Sequence, residues 1–165
     1  MKFNDRQKVF EVLKDLNIDY ELYEHPPTPT IEEAIKYWGK MEATHCKNLF
    51  FRNHKGNKHY LVIFEHSQQL AIRDLEIKLK QGKLSFATEK RMARYLGVKP
   101  GSVSLFGLIN DVDNHVYVFF DKNLLLSEYL SFHPNDNTAS LKIRQDDFRA
   151  FINWTANQHE FLELY

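Results

Sequence analysis

The chain has 165 residues, 43% of them hydrophobic and 14% aromatic, enough to bury a sizeable core in one domain of about 100 to 200 residues. Its 22 basic side chains balance 22 acidic ones, which excludes a global field drawing it to nucleic acid or to a membrane, so that such a partner must use a local patch. A single cysteine, Cys46, excludes an internal disulfide. MKFNDRQKVF lacks the apolar core of a signal peptide and no apolar run approaches the roughly 18 residues of a membrane helix, so a soluble cytoplasmic protein is expected.

Val9, Phe10, Val12, Leu13 and Leu16 form one stripe at helical spacing, predicting a helix over 5–16 with Asn4 or Asp5 as its cap. Ile18 to Glu24 alternates as a half-buried strand, which His25-Pro26-Pro27 ends. Thr30-Ile31-Glu32-Glu33 has the form of a capping box, predicting a helix from Ile31 to Trp38 that stops near Gly39. Leu49–Arg52 and His59–Phe64 read as two strands of a hairpin whose turn contains Gly56. Lys47 then stands at the mouth of an apolar strand, where an ammonium either snorkels outward or faces an anionic or carbonyl ligand.

Arg73 to Gln81 reads as a short helix and Leu84 to Ala87 as a strand, after which Thr88 caps a helix through Arg94 that Gly97 closes. Lys99 to Gly107 is small, polar and glycine-flanked, and is expected to cross the surface as a loop rather than enter the core. His115–Asp121 is β-rich, Leu130–Phe132 and Thr138–Ile143 look like a strand pair around His133-Pro134-Asn135-Asp136-Asn137, and Asp146–Ala156 closes the chain as an amphipathic helix. No repeat or composition break divides the chain, so residues 1–165 are read as one domain.

The segments HPPTPTIEEA, THCKNLFFRN, KHYLV, KLSFAT, YLGVKPGSVSLFGLIND and FHPNDNTAS, in this order and at about this spacing, resemble the bacterial YbaK-like aminoacyl-tRNA deacylases. Within that family the free-standing alanyl-tRNA(Pro) deacylases, which are similar to the editing domain inserted in bacterial prolyl-tRNA synthetases, look closest. The resemblance spans about Tyr20 to Phe151. It implies an α/β (α+β) fold with a mixed, partly barrel-like sheet flanked by helices, and hydrolysis of the ester joining a mischarged amino acid to tRNA. Its implied partners are the acceptor end of an aminoacyl-tRNA and, further, a prolyl-tRNA synthetase.

An aminoacyl ester is already activated, so such an enzyme needs only to place a water, stabilise an oxyanion and hold the amino acid. Lys47 matches the family's essential lysine and would bind the terminal phosphate or the substrate carbonyl. Gly101 and Ser102 match its glycine-led loop, whose backbone N–H groups would serve the oxyanion. The family pattern there is often Gly-x-x-x-Pro, whereas this chain has Leu105 at the fifth position, which bears on loop preorganisation or substrate choice. His133 corresponds to the residue that sets pocket size, leaving room for alanine and rejecting proline. Such a second sieve is needed because missing methylenes cost only about 1 to 3 kcal/mol each in the synthetase's own pocket. Asn48, beside Lys47 in the matching segment, is taken as substrate-binding, and Asn135, Asn137 and Thr138 are candidates to orient water or the terminal ribose, although such residues are also ordinary turn formers.

Between Ile72 and Lys99 lie Arg73, Lys78, Lys80, Lys83, Lys90, Arg91, Arg94 and Lys99 against Asp74, Glu76 and Glu89. They read either as a patch that tracks the acceptor stem or as two solvated helix faces. Cys46 is set aside as a nucleophile, because His45 next to it on a strand points to the opposite face. The histidines show no metal-ligand spacing, and no phosphate loop or dinucleotide fingerprint occurs, so neither metal nor cofactor is expected. The reading is a trans-editing deacylase for Ala-tRNA(Pro). Near alternatives are relatives acting on Cys-tRNA(Pro), Ser-tRNA or Thr-tRNA, and a non-catalytic module that senses an aminoacylated tRNA end or docks on a synthetase.

Overall fold

The computed structural model describes residues 5–27, 36, 39 and 41–165. The expected Asn4 cap and, Lys36 apart, the expected helix over 31–38 lie outside them. Helix α1 (Asp5–Asp15) forms on the stripe read from the sequence, with Val9 and Leu13 fully buried. Strand β1 is shorter than expected, Glu21–Glu24, and its Leu22 points outward at 43% exposure.

Strands β2 (Thr44–Asn53) and β3 (His59–Glu65) make the predicted hairpin, with Gly56 at φ 71° in its turn. Helix α2 (Ile72–Leu79), strand β4 (Leu84–Phe86) and helix α3 (Glu89–Leu96) follow. Helix α3 is capped as its sequence dictates: the Thr88 side chain accepts from the Arg91 N–H, and Gly97 ends it in the left-handed region. Strands β5 (Tyr117–Asp121), β6 (Tyr129–Phe132) and β7 (Ala139–Arg144), helix α4 (Gln145–Thr155) and strand β8 (His159–Leu162) complete the chain. The short strand β8 goes beyond the sequence reading. It joins the sheet parallel to β5, and its polar residues His159 and Glu160 mask the alternation.

The sheet is mixed, in the order β1-β7-β6-β2-β3-β5-β8, with β4 also on β2. It runs open from β1 to β8 and does not close into a barrel, which corrects the partly barrel-like expectation; helices flank it as expected. Two cores lie against its two faces. Strand β2 feeds both by alternation, Cys46 and Phe50 entering the larger core with Leu61, Ile63 and Leu96, and Phe51 the smaller one with Tyr60, Val62, Leu75 and Leu79.

The segment expected to cross the surface does so only through the Pro100-Gly101 turn. From Ser102 onward it dives inward: Ser102 and Ser104 are buried, and Leu105–Asn110 forms a 3-10 helix whose first five residues are buried. Burial is possible because the Ser104 hydroxyl accepts from the Phe106 N–H, and because Gly107 lies so close to α3 that a Cβ there would stand 3.0 Å from Leu96 Cβ. Small polar residues thus line a buried cap instead of a surface loop.

Candidate active site

Strands β2 and β6 are parallel but pair over only two positions, Thr44 with Leu130 and His45 with Ser131. Further along the same edge of β2, pairing resumes at Phe51 with β4, leaving a fork between the two partners. Open ends of parallel strands are where ligand crevices form in mixed sheets. The seam beneath the fork is closed by His45 Nδ1 and Ser131 Oγ, 2.6 Å apart and both buried. Lys47 stands two residues beyond His45, and His133 two beyond Ser131, so both enter the fork at one level.

The loop after Gly101 packs behind the fork, on the larger-core side of β2, and two amides clamp it. Asn48 Oδ1 accepts the Leu105 N–H at 3.1 Å while its Nδ2 donates to the Cys46 carbonyl at 3.2 Å. From the other side Asn135 Nδ2 donates to the Phe106 carbonyl at 3.2 Å. Asn135 takes φ 60°, a conformation asparagine tolerates better than most residues, and is buried, its Oδ1 without a hydrogen bond among the described residues. Three segments far apart in the chain, around residues 47, 105 and 135, thereby meet.

Lys47 is half-buried, and its ammonium makes no hydrogen bond or ion pair with the described residues. His133 Nδ1 donates to the Ala139 carbonyl at 2.7 Å, since a carbonyl can only accept. Burial holds its pKa below the usual value, the Ala139 carbonyl works against that, and the His25 ring 5.9 Å away adds to the depression. The ring is neutral near pH 7, with Nε2 as an acceptor. At the turn, Gly101 has φ 84°, while the Ser102 N–H is taken by the Lys99 carbonyl at 3.0 Å. Of the two residues read as oxyanion donors, Ser102 therefore has its N–H committed.

Asn48 and Asn135 act here as clamps on the loop. Thr138 has its hydroxyl engaged by Asp136 at 2.6 Å and by the Arg6 guanidinium, which also reaches Asp136 at 3.4 Å and Glu24 at 2.7 Å. Burial alone would raise the Asp136 pKa, but hydrogen bonds from Thr138 and the charge of Arg6 outweigh it and hold the carboxyl below its ordinary value. Asn137 is half-buried beside them. The anchoring by Arg6, 130 residues away in the chain, carried no signal in the sequence.

Cys46 lies in the larger core, where burial pushes its thiol well above the usual value, and the adjacent His45 faces Ser131. The eight basic residues between Ile72 and Lys99 do not form one patch: α2 packs on the smaller core and α3 on the larger, across the sheet from each other. Among the described residues no group of three His, Cys, Asp or Glu could hold a metal ion, and no helix is long and apolar enough to cross a membrane.

Comparison with known proteins shows the family of the chain. Residues 25–151 match the model of the aminoacyl-tRNA editing domain. The chain is 38% identical over 164 residues, 99% of its own length and 100% of the relative's, to the prolyl-tRNA editing protein ProX of Acetoanaerobium sticklandii. It is 31% identical over 156 residues, 92% of each chain, to the mouse (Mus musculus) prolyl-tRNA synthetase associated domain-containing protein 1. A solved structure described as a candidate trans-editing enzyme for prolyl tRNA synthetase superposes with a TM-score of 0.72 at 20% identity, over 98% of both chains, which speaks to the fold alone. On the family match and these full-length relatives, the chain belongs to the aminoacyl-tRNA editing domain family.

Proposed function

We propose that this chain is a trans-acting editing hydrolase that cleaves the ester of a mischarged aminoacyl-tRNA, with alanine on tRNA(Pro) as its substrate. The observation that carries this reading is the assembly at the fork, where the Asn48–Leu105 and Asn135–Phe106 hydrogen bonds gather a lysine with no ion-pair partner among the described residues, a glycine-led turn and a neutral histidine. In the reaction the oxygen of a water attacks the ester carbonyl carbon, the bond to the ribose oxygen breaks, and that oxygen leaves with a proton. Lys47 supplies the positive charge for the terminal phosphate or the carbonyl oxygen, where a partly desolvated site makes it count most. Gly101 lets the backbone approach the developing oxyanion. His133, its ring fixed by Ala139, forms the wall that admits alanine and rejects proline. Asn137 remains the candidate to orient water or the terminal ribose.

A prolyl-tRNA synthetase, whose pocket cannot strongly exclude the smaller alanine, is the source of the substrate and the expected partner in the cytoplasm. The leucine in place of the family's proline gives no support to a non-catalytic module, because the Leu105 N–H is held by Asn48.

The test is deacylation of Ala-, Cys-, Ser- and Pro-tRNA(Pro) by wild type, Lys47→Ala and His133→Ala. Lys47→Ala is expected to lose most turnover while keeping its unfolding midpoint. His133→Ala is expected to gain activity on Pro-tRNA(Pro). Unchanged turnover in Lys47→Ala sinks the assignment, and binding without hydrolysis above the buffer rate makes the protein a sensor.

A further inference from the structure

A second polar cluster lies away from the fork, at the closed end of the β2–β3 hairpin. Its centre is His59, 1% exposed, whose Nε2 is 2.8 Å from Arg91 Nη1 and whose Nδ1 is 2.8 Å from His115 Nε2. A guanidinium only donates, so His59 accepts at Nε2, carries its proton on Nδ1 and donates to His115. Arg91 also donates to the Gly56 carbonyl at 2.8 Å, and Gly56 lies so near that a Cβ would meet Arg91 Nη2 at 2.9 Å. This network orients a stack above it: the rings of Tyr95 and His115 lie 4.6 Å apart at 15°, with Arg94 5.1 Å from the Tyr95 centroid. His115 and Arg94 are exposed, so the outer side of the stack opens to solvent.

The same end of the molecule gathers cations. Arg52 ends the face of β2 that carries Asn48 and Phe50, Lys55 and Lys58 sit on the hairpin turn, and Lys90, Arg91 and Arg94 line α3. The exposed carboxylates on these elements are Glu89 and Asp113, since Asp111 is buried and occupied by the His115 and Val116 N–H groups and by Asn157. Arg91, Arg94 and Arg52 lie close enough to His59 that, after burial and His115, their charges help push its pKa down to about 4.

We propose that this hairpin and α3 surface binds the RNA stem leading away from the ester-bearing end, its cations on phosphates and the Tyr95–His115 stack against an exposed base or ribose. The inference rests on the editing reading above and names the surface that holds its substrate. Guanidiniums beside a stackable ring suit a polyanion that carries bases better than a simple anion. The surface is also continuous with the fork. Helix α3 runs through Gly97 directly into the Gly101 turn, the turn that the reading above sets at the ester. The α2 cations Lys78 and Lys80, and Lys83 after it, belong to the other side of the sheet.

The test is binding of an unacylated tRNA(Pro) transcript at several salt concentrations to wild type, Arg52→Gln/Lys90→Gln/Arg94→Gln, and Lys78→Gln/Lys80→Gln/Lys83→Gln, with unfolding midpoints as a folding control. The first triple variant is expected to lose about tenfold or more in affinity and to flatten the salt dependence by roughly one unit of slope per phosphate contact removed. The α2 triple variant is expected to stay within about twofold. His115→Ala is expected to weaken binding at an unchanged slope, as loss of stacking does. The surface assignment is overturned if the α2 triple loses as much as the first, or if the first keeps wild-type affinity and slope. Wild type that neither binds tRNA nor deacylates Ala-tRNA(Pro) overturns the editing reading instead, whereas wild type that does both beside a silent first triple overturns only this surface.

Discussion

The hydrogen bond between Asn48 and Leu105 can be tested by a double-mutant cycle. Leu105 is the first residue of the 3-10 helix, following Ser104 at φ −154°, ψ 155°. Both features suit a proline at 105, which fits the first helical position and needs an extended residue before it. The family's proline and this chain's leucine are therefore two solutions to one backbone: the first fixes φ, and the second offers an N–H that Asn48 holds at 3.1 Å. Asn48→Ala strands a donor on a residue that is 0% exposed, at a cost of about 1–3 kcal/mol. Leu105→Pro removes the donor, gains about 0.4–1 kcal/mol from a stiffer unfolded chain, and loses about 1 kcal/mol of buried side chain. In the Leu105→Pro background, Asn48→Ala should cost at least about 1 kcal/mol less than in wild type. Urea unfolding of the four proteins measures this. Equal costs in both backgrounds, within about 0.5 kcal/mol, would refute the clamp.

Stability should fall as pH drops from about 6.5 to 4. His45 and His59 are buried and desolvated, each with a pKa near 4 in the folded state against 6.5 unfolded, so in this window the unfolded chain binds more protons and folding loses on the order of 1–3 kcal/mol per ring. Unfolding midpoints against pH, with His59→Gln removing part of the slope, measure it; a flat profile contradicts the neutral, desolvated state of the two rings. Gly97→Ala should destabilise by about 1 kcal/mol or more, because φ is 63° and a Cβ would meet Asn110 Nδ2 at 2.6 Å; thermal denaturation at wild-type stability argues against it. Arg6→Ala should loosen the 133–138 loop, raising activity on Pro-tRNA(Pro) relative to Ala-tRNA(Pro), and unchanged selectivity separates the Arg6 anchor from the His133 wall.

Elements with a local physical cause were legible in the sequence. Helix α3 could be bounded at both ends because Thr88 and Gly97 act on the backbone beside them, and the β2–β3 hairpin could be read because Gly56 permits a positive φ. Strand β8 and the burial of Ser102–Leu108 were not, since both depend on partners far along the chain, β5 for the strand and α3 with Asn48 and Asn135 for the cap. A run of serine and glycine reads as surface until the groups that accept its hydrogen bonds are known. The same limit applied to the basic residues, which are close in sequence but fall on opposite faces because Leu75 and Leu96 enter different cores.

The place of Lys47 near the mouth of an apolar strand was legible, but the contact its neighbour makes was not. Asn48 follows Lys47 by one residue, so on a strand it points the opposite way; a residue on the far side is badly placed to share the lysine's ligand and well placed to hold what lies behind it. That geometry makes Asn48 a positioning residue and separates its kinetic signature from that of Lys47. On the role proposed for Lys47, removing it strips charge from the transition state and should lower kcat and kcat/KM together. Removing Asn48 frees the loop that carries Gly101, so the bound geometry is populated less often and the penalty should shrink in Leu105→Pro, where the backbone is stiff already. Rescue of Asn48→Ala activity by Leu105→Pro, with no rescue of Lys47→Ala, is the expected pattern; rescue of neither would leave Asn48 acting on the substrate itself.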